Sequence, residues 1–556
     1  MGRGGTTTQG RRVREADRRG TIGPRFARSS ARHGDGFVTT IGPGRPTPPI
    51  ELGGEGPAFT TAHFTTAAVE LDTEFLDALA ATGALVSVDP TTLSESSRDW
   101  WPLAMTWAAA NEVGAIAAAV VQPASVDQVA AVMRLCSSSG IPVTPAAGRS
   151  GVVGGSVPLF GGVILDMCAL TGIRSVDSES GIVDVWAGTF GDLMEAELRT
   201  SYGLTVGHWP QSIALSTIGG WLACRGAGQL SNRYGKIEDI VVGLDVVLAD
   251  GTFVQTGGHA RQAVGPDLDQ LFVGSEGTLG LITAARLRAW NVPDGEARSA
   301  WSFPSFEEGA DACRRIVQRG LAPAALRLYD AAEADRSYGT GDVAVLLVFD
   351  EGDPIVVDAA SRITEQECAG RTRLDDALVE KWLGHRNDVS ALEALISKGF
   401  VVDTMELTVS WTDLPNLYVT VRDAIASVPG VLAASAHLSH SYSDGACLYF
   451  TFAGKPAEDN AVATDALYTA CWDAGASAGL ACGGSLSHHH GIGINRARFM
   501  ADALGEGGTQ VLHAIKAALD PAGVLNPGKL GMPNPFGTAP FPGAAIADPA
   551  ASGAGQ

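Results

Sequence analysis

The sequence predicts an α+β protein built from two successive units, and three observations predict it. Three glycine-rich loops, at residues 145–156, 209–239 and 274–282, each lie between strand-like apolar segments. A strand, helix, strand rhythm then starts afresh at Ala300 and runs on into alternating segments of an antiparallel sheet. Finally, 556 residues with 45% hydrophobic content exceed one ordinary domain and suffice for two cores.

Taken in order, residues 75–83 carry helical apolar spacing, and residues 99–107, DWWPLAMTW, form an aromatic cluster that packs without an assigned element. From Ala117 the pattern reads strand, helix, strand, with Ser125 as N-cap and a break at residues 137–140. Strands are expected at 163–166, 181–186 and 240–248, the last running into the hairpin signal Asp250-Gly251. The second unit should place strands at 300–303, 343–349, 401–409, 431–437 and 446–452. Helices are expected at 306–318, 356–367 and 414–427, and a last one at 496–519 is stopped by Asp520-Pro521. The expected division is a disordered basic tail (1–60), a helical segment (61–112), the loop-bearing domain (113–293), a cap or substrate domain (294–495), a C-terminal helix and return (496–531) and a linker-like tail (532–556).

Charge and cysteine content exclude several functions. With 39 basic against 61 acidic residues the net charge is -22, so nucleic acid is not an expected partner and an anionic substrate needs a local basic pocket. The 8 cysteines show no C-x-x-C pair, which points to reduced thiols and a cytoplasm-like compartment. Even the Ala-rich stretch 108–121 is interrupted by Asn111 and Glu112, too short and polar to span a membrane. The sequence ends in Gly-Gln, so a peroxisomal Ser-Lys-Leu address is not expected.

The loops suggest a bound dinucleotide. In WPQSIALSTIGGWLACRGAGQLSNRYGKIED, Ser212, Ser216 and Thr217 offer short donors, and glycines let main-chain amides approach a ligand. The loop PAAGRSGVVGGS can cradle a pyrophosphate, although it lacks the G-x-G-x-x-G spacing, and GSEGTLGLI repeats the small-residue pattern. A glycine-rich turn between core strands is the plainer reading of each loop alone.

Other residues could carry chemistry. In SLSHHHGIG, extended backbone would put His488 and His490 on one side; paired imidazoles can exchange a proton near neutral pH or donate to a phosphate. No thiolate or carboxylate sits at a ligand spacing nearby, so no metal is expected. Arg327 lies in a strand-like apolar run, where a guanidinium needs an anion, either a substrate or Asp330. Tyr449 alternates with Leu448 and Phe450 and by pattern alone belongs to the core.

The segments PQSIALSTIGGW, YGKIEDIVV, GPDLDQLFVGSEGTLGLIT, APAALRLYD, DGACLYFTF and GGSLSHHHGIG resemble the vanillyl-alcohol-oxidase type flavoproteins, also called the PCMH type. Within that group the resemblance narrows to the alkylglycerone-phosphate synthase family, over about residues 100–531. It implies a two-part PCMH-type FAD-binding domain, an antiparallel-sheet cap and a C-terminal helical return. The flavin contacts it implies begin with Pro145, Ala146, Ala147, Gly148, Arg149, Ser150 and Gly151. They continue with Gln211, Ser212, Ile213, Ala214, Leu215, Ser216 and Thr217, then Cys224, Arg225, Gly226 and Ala227. The last set is Glu276, Gly277, Thr278, Leu279, Gly280, Leu281 and Ile282. Noncovalent FAD is implied, because Arg149 and Ser150 occupy the place of a linking histidine.

The resemblance also implies roles: His489 and His490 at the proton-abstracting position, Tyr449 as acid for the leaving carboxylate, and Arg327 facing the substrate or orienting a histidine. The implied reaction exchanges the acyl chain of acyl-glycerone phosphate for a fatty alcohol through a flavin N5 adduct, a step of ether-lipid synthesis. A small-molecule or lipid substrate with an anionic head group follows; peripheral membrane contact and a homodimer stay open. The alternative is an FAD-dependent oxidoreductase of D-2-hydroxy acids or a related alcohol. Many such enzymes carry H-x-G-D-G-N-x-H and then G-E-H-G; here HSYSDGACLYF and SHHHG keep His440 but lose the second histidine and the Gly-Glu pair. An arginine of the synthase pattern, in an I-R-D run, is also missing, and Arg386 is the nearest candidate.

Overall fold

A computed structural model describes residues 1–2, 61–388 and 390–541; the tail expected over residues 3–60 and the end of the one expected over 532–556 lie outside the described residues. The first sheet has four strands in the order Leu85–Ser87, Ala119–Gln122, Val163–Asp166, Val143–Ala146. Its last three strands run parallel, which requires a crossover, and the helix Val126–Ser139 supplies it. Ser125 Oγ accepts from Gln128 N at the start of that helix, and Gly140 ends it in the left-handed conformation, as the sequence predicts.

A second, antiparallel sheet of five strands follows, ordered Phe253–Gln255, Val241–Val247, Leu281–Arg288, Ile182–Trp186, Ile173–Asp177. The third sheet is the seven-stranded antiparallel layer of the cap. It runs Thr372–Leu374, Gly295–Phe303, Ala344–Gly352, Ala325–Tyr329, Val431–Ser441, Gly445–Gly454, Val401–Ser410. Helices Phe306–Gln318 and Leu414–Ala426 cover it with Ile316, Leu417 and Val421, against Leu328, Leu438 and Leu448. The protein thus has the α+β, PCMH-type architecture expected.

The C-terminal segment returns to the first sheet. Val143 N donates to Val524 O and Asn526 N to Val143 O, adding this chain to the edge strand Val143–Ala146. Lys516, buried, donates to Thr278 O, Leu525 O and Asp520 Oδ2 and so ties the helix to the third loop.

Several elements differ from expectation. The single helix expected over 496–519 is a short 3-10 turn, Ala497–Phe499, and a helix Met500–Leu519 interrupted at Gly505, whose φ of 67° is not helical. Ala461–Ala481, at 21 residues, was not anticipated. Its alanines, glycines and aromatics are apolar all round, so no amphipathic stripe marks it, and it packs Tyr468, Cys471 and Trp472 into the cap core. Within DWWPLAMTW a helix, Pro102–Ala109, buries Trp101 and Trp107. Residues 532–541, read as a linker, pack instead: Phe536 lies 5.7 Å from Phe160 and Arg498 covers the Phe541 ring at 3.7 Å.

Candidate active site

The three loops and the cap sheet enclose one cavity of about 590 Å³, within the size range of cofactor sites. Pro145, Ala146, Ala147, Arg149, Ser150 and Gly151 form one wall, extended by Gly155 and Ser156. Gln211, Ser212, Ser216, Thr217, Cys224, Gly226 and Ala227 form the second, and Glu276, Gly277, Gly280, Leu281 and Ile282 the third.

The other expected flavin contacts lie behind these walls, each for a local reason. A Cβ on Gly148 would stand 2.2 Å from Leu215 O, so Gly148 and Leu215 hold two loops against each other. Ile213 and Leu279 join the core of the second sheet, Ala214 faces solvent, and Thr278 turns its hydroxyl to Ser275 O. Arg225 points away, to Glu238 and Gln270.

The cavity suits a dinucleotide that needs close main-chain approach and a cation. Gly155 has no atom within 4 Å of where a Cβ would sit, and Gly151 has only Asp99 Oδ2 at 3.8 Å, so any side chain there would project into the space. Arg149 is buried with Nη1 unpartnered among the described residues. His208, fully buried beside the second loop and tilted over Trp221 at 4.6 Å, has no partner on either ring nitrogen among the described residues. Burial, helped by nearby Lys236, pushes its pKa down to about 3. In the sequence His208 carries no signal beyond an imidazole at the entrance to the second loop.

All four residues expected to carry chemistry line this cavity: Arg327, Tyr449, His489 and His490. The histidine segment is a bend rather than a strand, so the expected shared side for His488 and His490 does not form. His488 turns to Tyr442, its Nε2 2.7 Å from the phenol oxygen, whereas His489 and His490 face the cavity. Burial, reinforced by neighbouring imidazoles, holds His488 and His489 well below the usual histidine range, hence neutral at pH 7.

One carboxylate organises this bend. Glu406 Oε1 accepts from Ser487 Oγ, His489 N and His490 N, and His490 Nδ1 stands 3.0 Å from Oε2 without the alignment of a full hydrogen bond. Burial opposes its charge, but Arg496 and His490 outweigh that and hold Glu406 well below the usual carboxylate range. From the other side, Glu276 accepts from Ile492 N at 2.5 Å and Gly493 N at 2.8 Å, fastening the bend to the third loop.

Tyr449 stacks on His437 with ring centroids 5.0 Å apart, and Thr404 Oγ1 donates to its hydroxyl at 2.9 Å. Burial raises its pKa, so the phenol keeps its proton. Arg327 does not pair with Asp330, which caps the helix Ala331–Tyr338 instead. Its Nε donates to Tyr329 Oη at 3.0 Å and its Nη2 to His437 Nε2 at 2.6 Å, while His437 Nδ1 bonds Glu333 Oε1 at 2.9 Å. Arg386 stacks between Trp209 and Trp382, and Arg327 also stacks on Trp382.

Residues 117–257 match the family model of an FAD binding domain, and residues 293–530 that of the FAD linked oxidases, C-terminal domain. Over 456 residues the chain is 30% identical to alkyldihydroxyacetonephosphate synthase of Trypanosoma brucei brucei, covering 75% of this chain and 73% of that one. The chain belongs to the FAD-linked oxidase family. The chain is also 30% identical over 436 residues to the uncharacterized FAD-linked oxidoreductase YgcU of Escherichia coli (strain K12), covering 75% of this chain and 89% of the other. A solved alkyldihydroxyacetonephosphate synthase superposes with a TM-score of 0.68 at 24% identity, covering 87% of each chain, and so shares its fold. FAD is the cofactor of this family, and the open main chain at Gly151 and Gly155 beside the unpartnered Arg149 cation fits such a dinucleotide.

Proposed function

We propose that this flavoenzyme acts as an alkylglycerone-phosphate synthase, exchanging the acyl chain of acyl-glycerone phosphate for a fatty alcohol. The observation that carries this reading is the convergence of His490, Tyr449 and Arg327 on the cavity that the FAD loops line. FAD, when bound, supplies a reversible electron sink beside the substrate carbon. Glu406 beside Nδ1 orients His490 so that its Nε2 can take the C1 proton of the substrate and later return it. Tyr449, kept protonated by burial, donates to the departing carboxylate as the C1–O bond breaks. The alcohol hydroxyl then adds at the same carbon and gives its proton to the Tyr449 phenolate, so the exchange is redox-neutral. Arg327, braced by Tyr329 and His437, receives the anionic head group.

The similarity to an FAD-linked oxidoreductase over 89% of that protein's length supports a second reading, an FAD-linked oxidation, with a D-2-hydroxy acid or related alcohol as the substrate class to test. Anaerobic mixing separates the two. Under the first reading palmitoyl-glycerone phosphate releases palmitate stoichiometrically, and D-lactate or D-2-hydroxyglutarate leaves the flavin oxidised. Lasting flavin bleaching by a hydroxy acid, without fatty-acid release from the glycerone ester, would overturn it.

A further inference from the structure

Among the described residues Arg327 meets no carboxylate, and the local sequence explains how it is held instead. Arg327 and Tyr329 alternate to one side of the strand Ala325–Tyr329, so Nε reaches Tyr329 Oη. Asp330 then ends the strand and caps the helix Ala331–Tyr338, and its Oδ2 accepts from Ala436 N, which pins the helix start beside His437. Glu333, in the first helical turn, is thereby brought against His437, which the sheet register sets opposite Tyr329. We propose that Glu333 is a positioning residue for the anion site: through His437 it decides which donor of Arg327 is held inside the protein and which is left to grip the substrate anion. The anion at Arg327 comes from the proposed function above, on which this role of Glu333 rests.

Donor and acceptor chemistry fixes the order of the chain. An ionised carboxylate only accepts, so the 2.9 Å contact with Glu333 Oε1 puts the proton of His437 on Nδ1. A guanidinium only donates, so at 2.6 Å from Arg327 Nη2 the other ring nitrogen, Nε2, keeps its lone pair. The two contacts agree on a single neutral tautomer, and burial holds the ring below the usual histidine range although Glu333 pulls the other way. With Nε on Tyr329 and Nη2 on His437, Nη1 is the donor group of Arg327 without a partner among the described residues, on a side chain that lines the cavity. The same imidazole stacks on Tyr449 at 5.0 Å, so its orientation also seats the phenol.

Glu333 is free for this role. Its Oε2 is buried without a partner among the described residues, and the helix N-terminus favours its negative charge. Arg336, on the same helix, donates to Ser435 Oγ at 3.2 Å. Glu333→Gln keeps the shape, but an amide donates as well as accepts, so the imidazole proton can move from Nδ1 to Nε2. An N–H there would oppose the N–H of Arg327 Nη2, and the guanidinium would lose its fixed direction.

The test titrates the oxidised, FAD-loaded enzyme calorimetrically with two anions that it cannot turn over. Glycerone phosphate is the head group without a leaving acyl chain, and 2-oxoglutarate is the keto product under the hydroxy-acid reading. Glu333→Gln should weaken the anion that the parent binds by about tenfold or more, with flavin content unchanged. In a His437→Phe background, which keeps the stack on Tyr449, Glu333→Gln should add no further loss. Nitrogen-15 NMR of the histidine-labelled parent should show His437 protonated at Nδ1 and bare at Nε2, and this decides the matter even if His437→Phe fails to fold. Equal affinity in Glu333→Gln, additive losses in the double variant, or a proton on Nε2 in the parent overturns the role of Glu333. Glycerone phosphate bound equally by parent and Glu333→Gln would leave the synthase reading standing without it. Binding of 2-oxoglutarate alone, still weakened by Glu333→Gln, would refute the synthase reading and keep it, and a parent that binds neither anion overturns both.

Discussion

Arg496 meets Glu406 through two parallel contacts, Nη1 to Oε1 at 2.8 Å and Nη2 to Oε2 at 2.5 Å, with both side chains at 0% exposure. The same carboxylate holds the backbone of His489 and His490, so the pair fixes the histidine bend as well as the core. Removing one partner leaves a buried charge unmatched, which costs about 3–5 kcal/mol. Arg496→Met should therefore lower unfolding stability by that amount in urea titration. A loss below about 1 kcal/mol would show the pair to be dispensable.

The acid sensitivity of the fold has a sign that His208 fixes. Its folded pKa of about 3 lies below the ordinary 6.5, so the unfolded chain takes up a proton that the folded chain refuses. This contribution is fully present above pH 6.5 and is lost progressively as pH falls toward 3. Asp403, raised by burial to about 6, acts in the opposite sense, so the comparison of variants is what counts. His208→Phe should lose less stability than the parent between pH 7 and 5; equal slopes in melting temperature against pH would refute this assignment.

Gly148→Ala tests the contact between the first two loops. The added methyl would stand 2.2 Å from Leu215 O, and neither backbone can yield without moving a cavity wall. The purified variant should carry a clearly lower flavin-to-protein ratio than the parent. Full FAD occupancy would mean that the loops part without consequence.

For the histidines, His490→Ala should cut turnover by roughly 10²–10⁴, the usual contribution of a positioned acid or base, with the flavin still bound. Persistence of the parent rate in this variant would move the base elsewhere.

Noncovalent attachment predicts that acid precipitation leaves all yellow colour in the supernatant. Flavin retained in the pellet would point to a covalent link that Arg149 and Ser150 do not offer.

Much of the fold was legible in the sequence because period and punctuation agreed with tertiary structure. Ser125 and Gly140 bound a helix as their types demand, and strands 163–166 and 401–409 carried enough apolar residues to read directly. The helix Ala461–Ala481 was not legible, because its exposed face carries Val462, Ala466 and Ala481 while its buried face carries Asp465 and Thr469, which erases the amphipathic stripe that marks a helix. The site divided in the same way. Motif residues such as Tyr449 and His490 could be named from the segments they stand in, but Arg327 found His437 rather than its near neighbour Asp330.

The sequence by itself determined the glycine loops, the two-unit α+β order and the FAD-linked family, since these depend on residue type and local spacing. Only the tertiary structure decided which groups meet. Glu406 and Arg496 are 90 positions apart and Cys447 and His488 belong to separate elements, brought together by antiparallel register and a bend in the backbone. Spacing along a chain constrains side chains within one element; contacts between elements are set by sheet register and core packing, which no local pattern encodes.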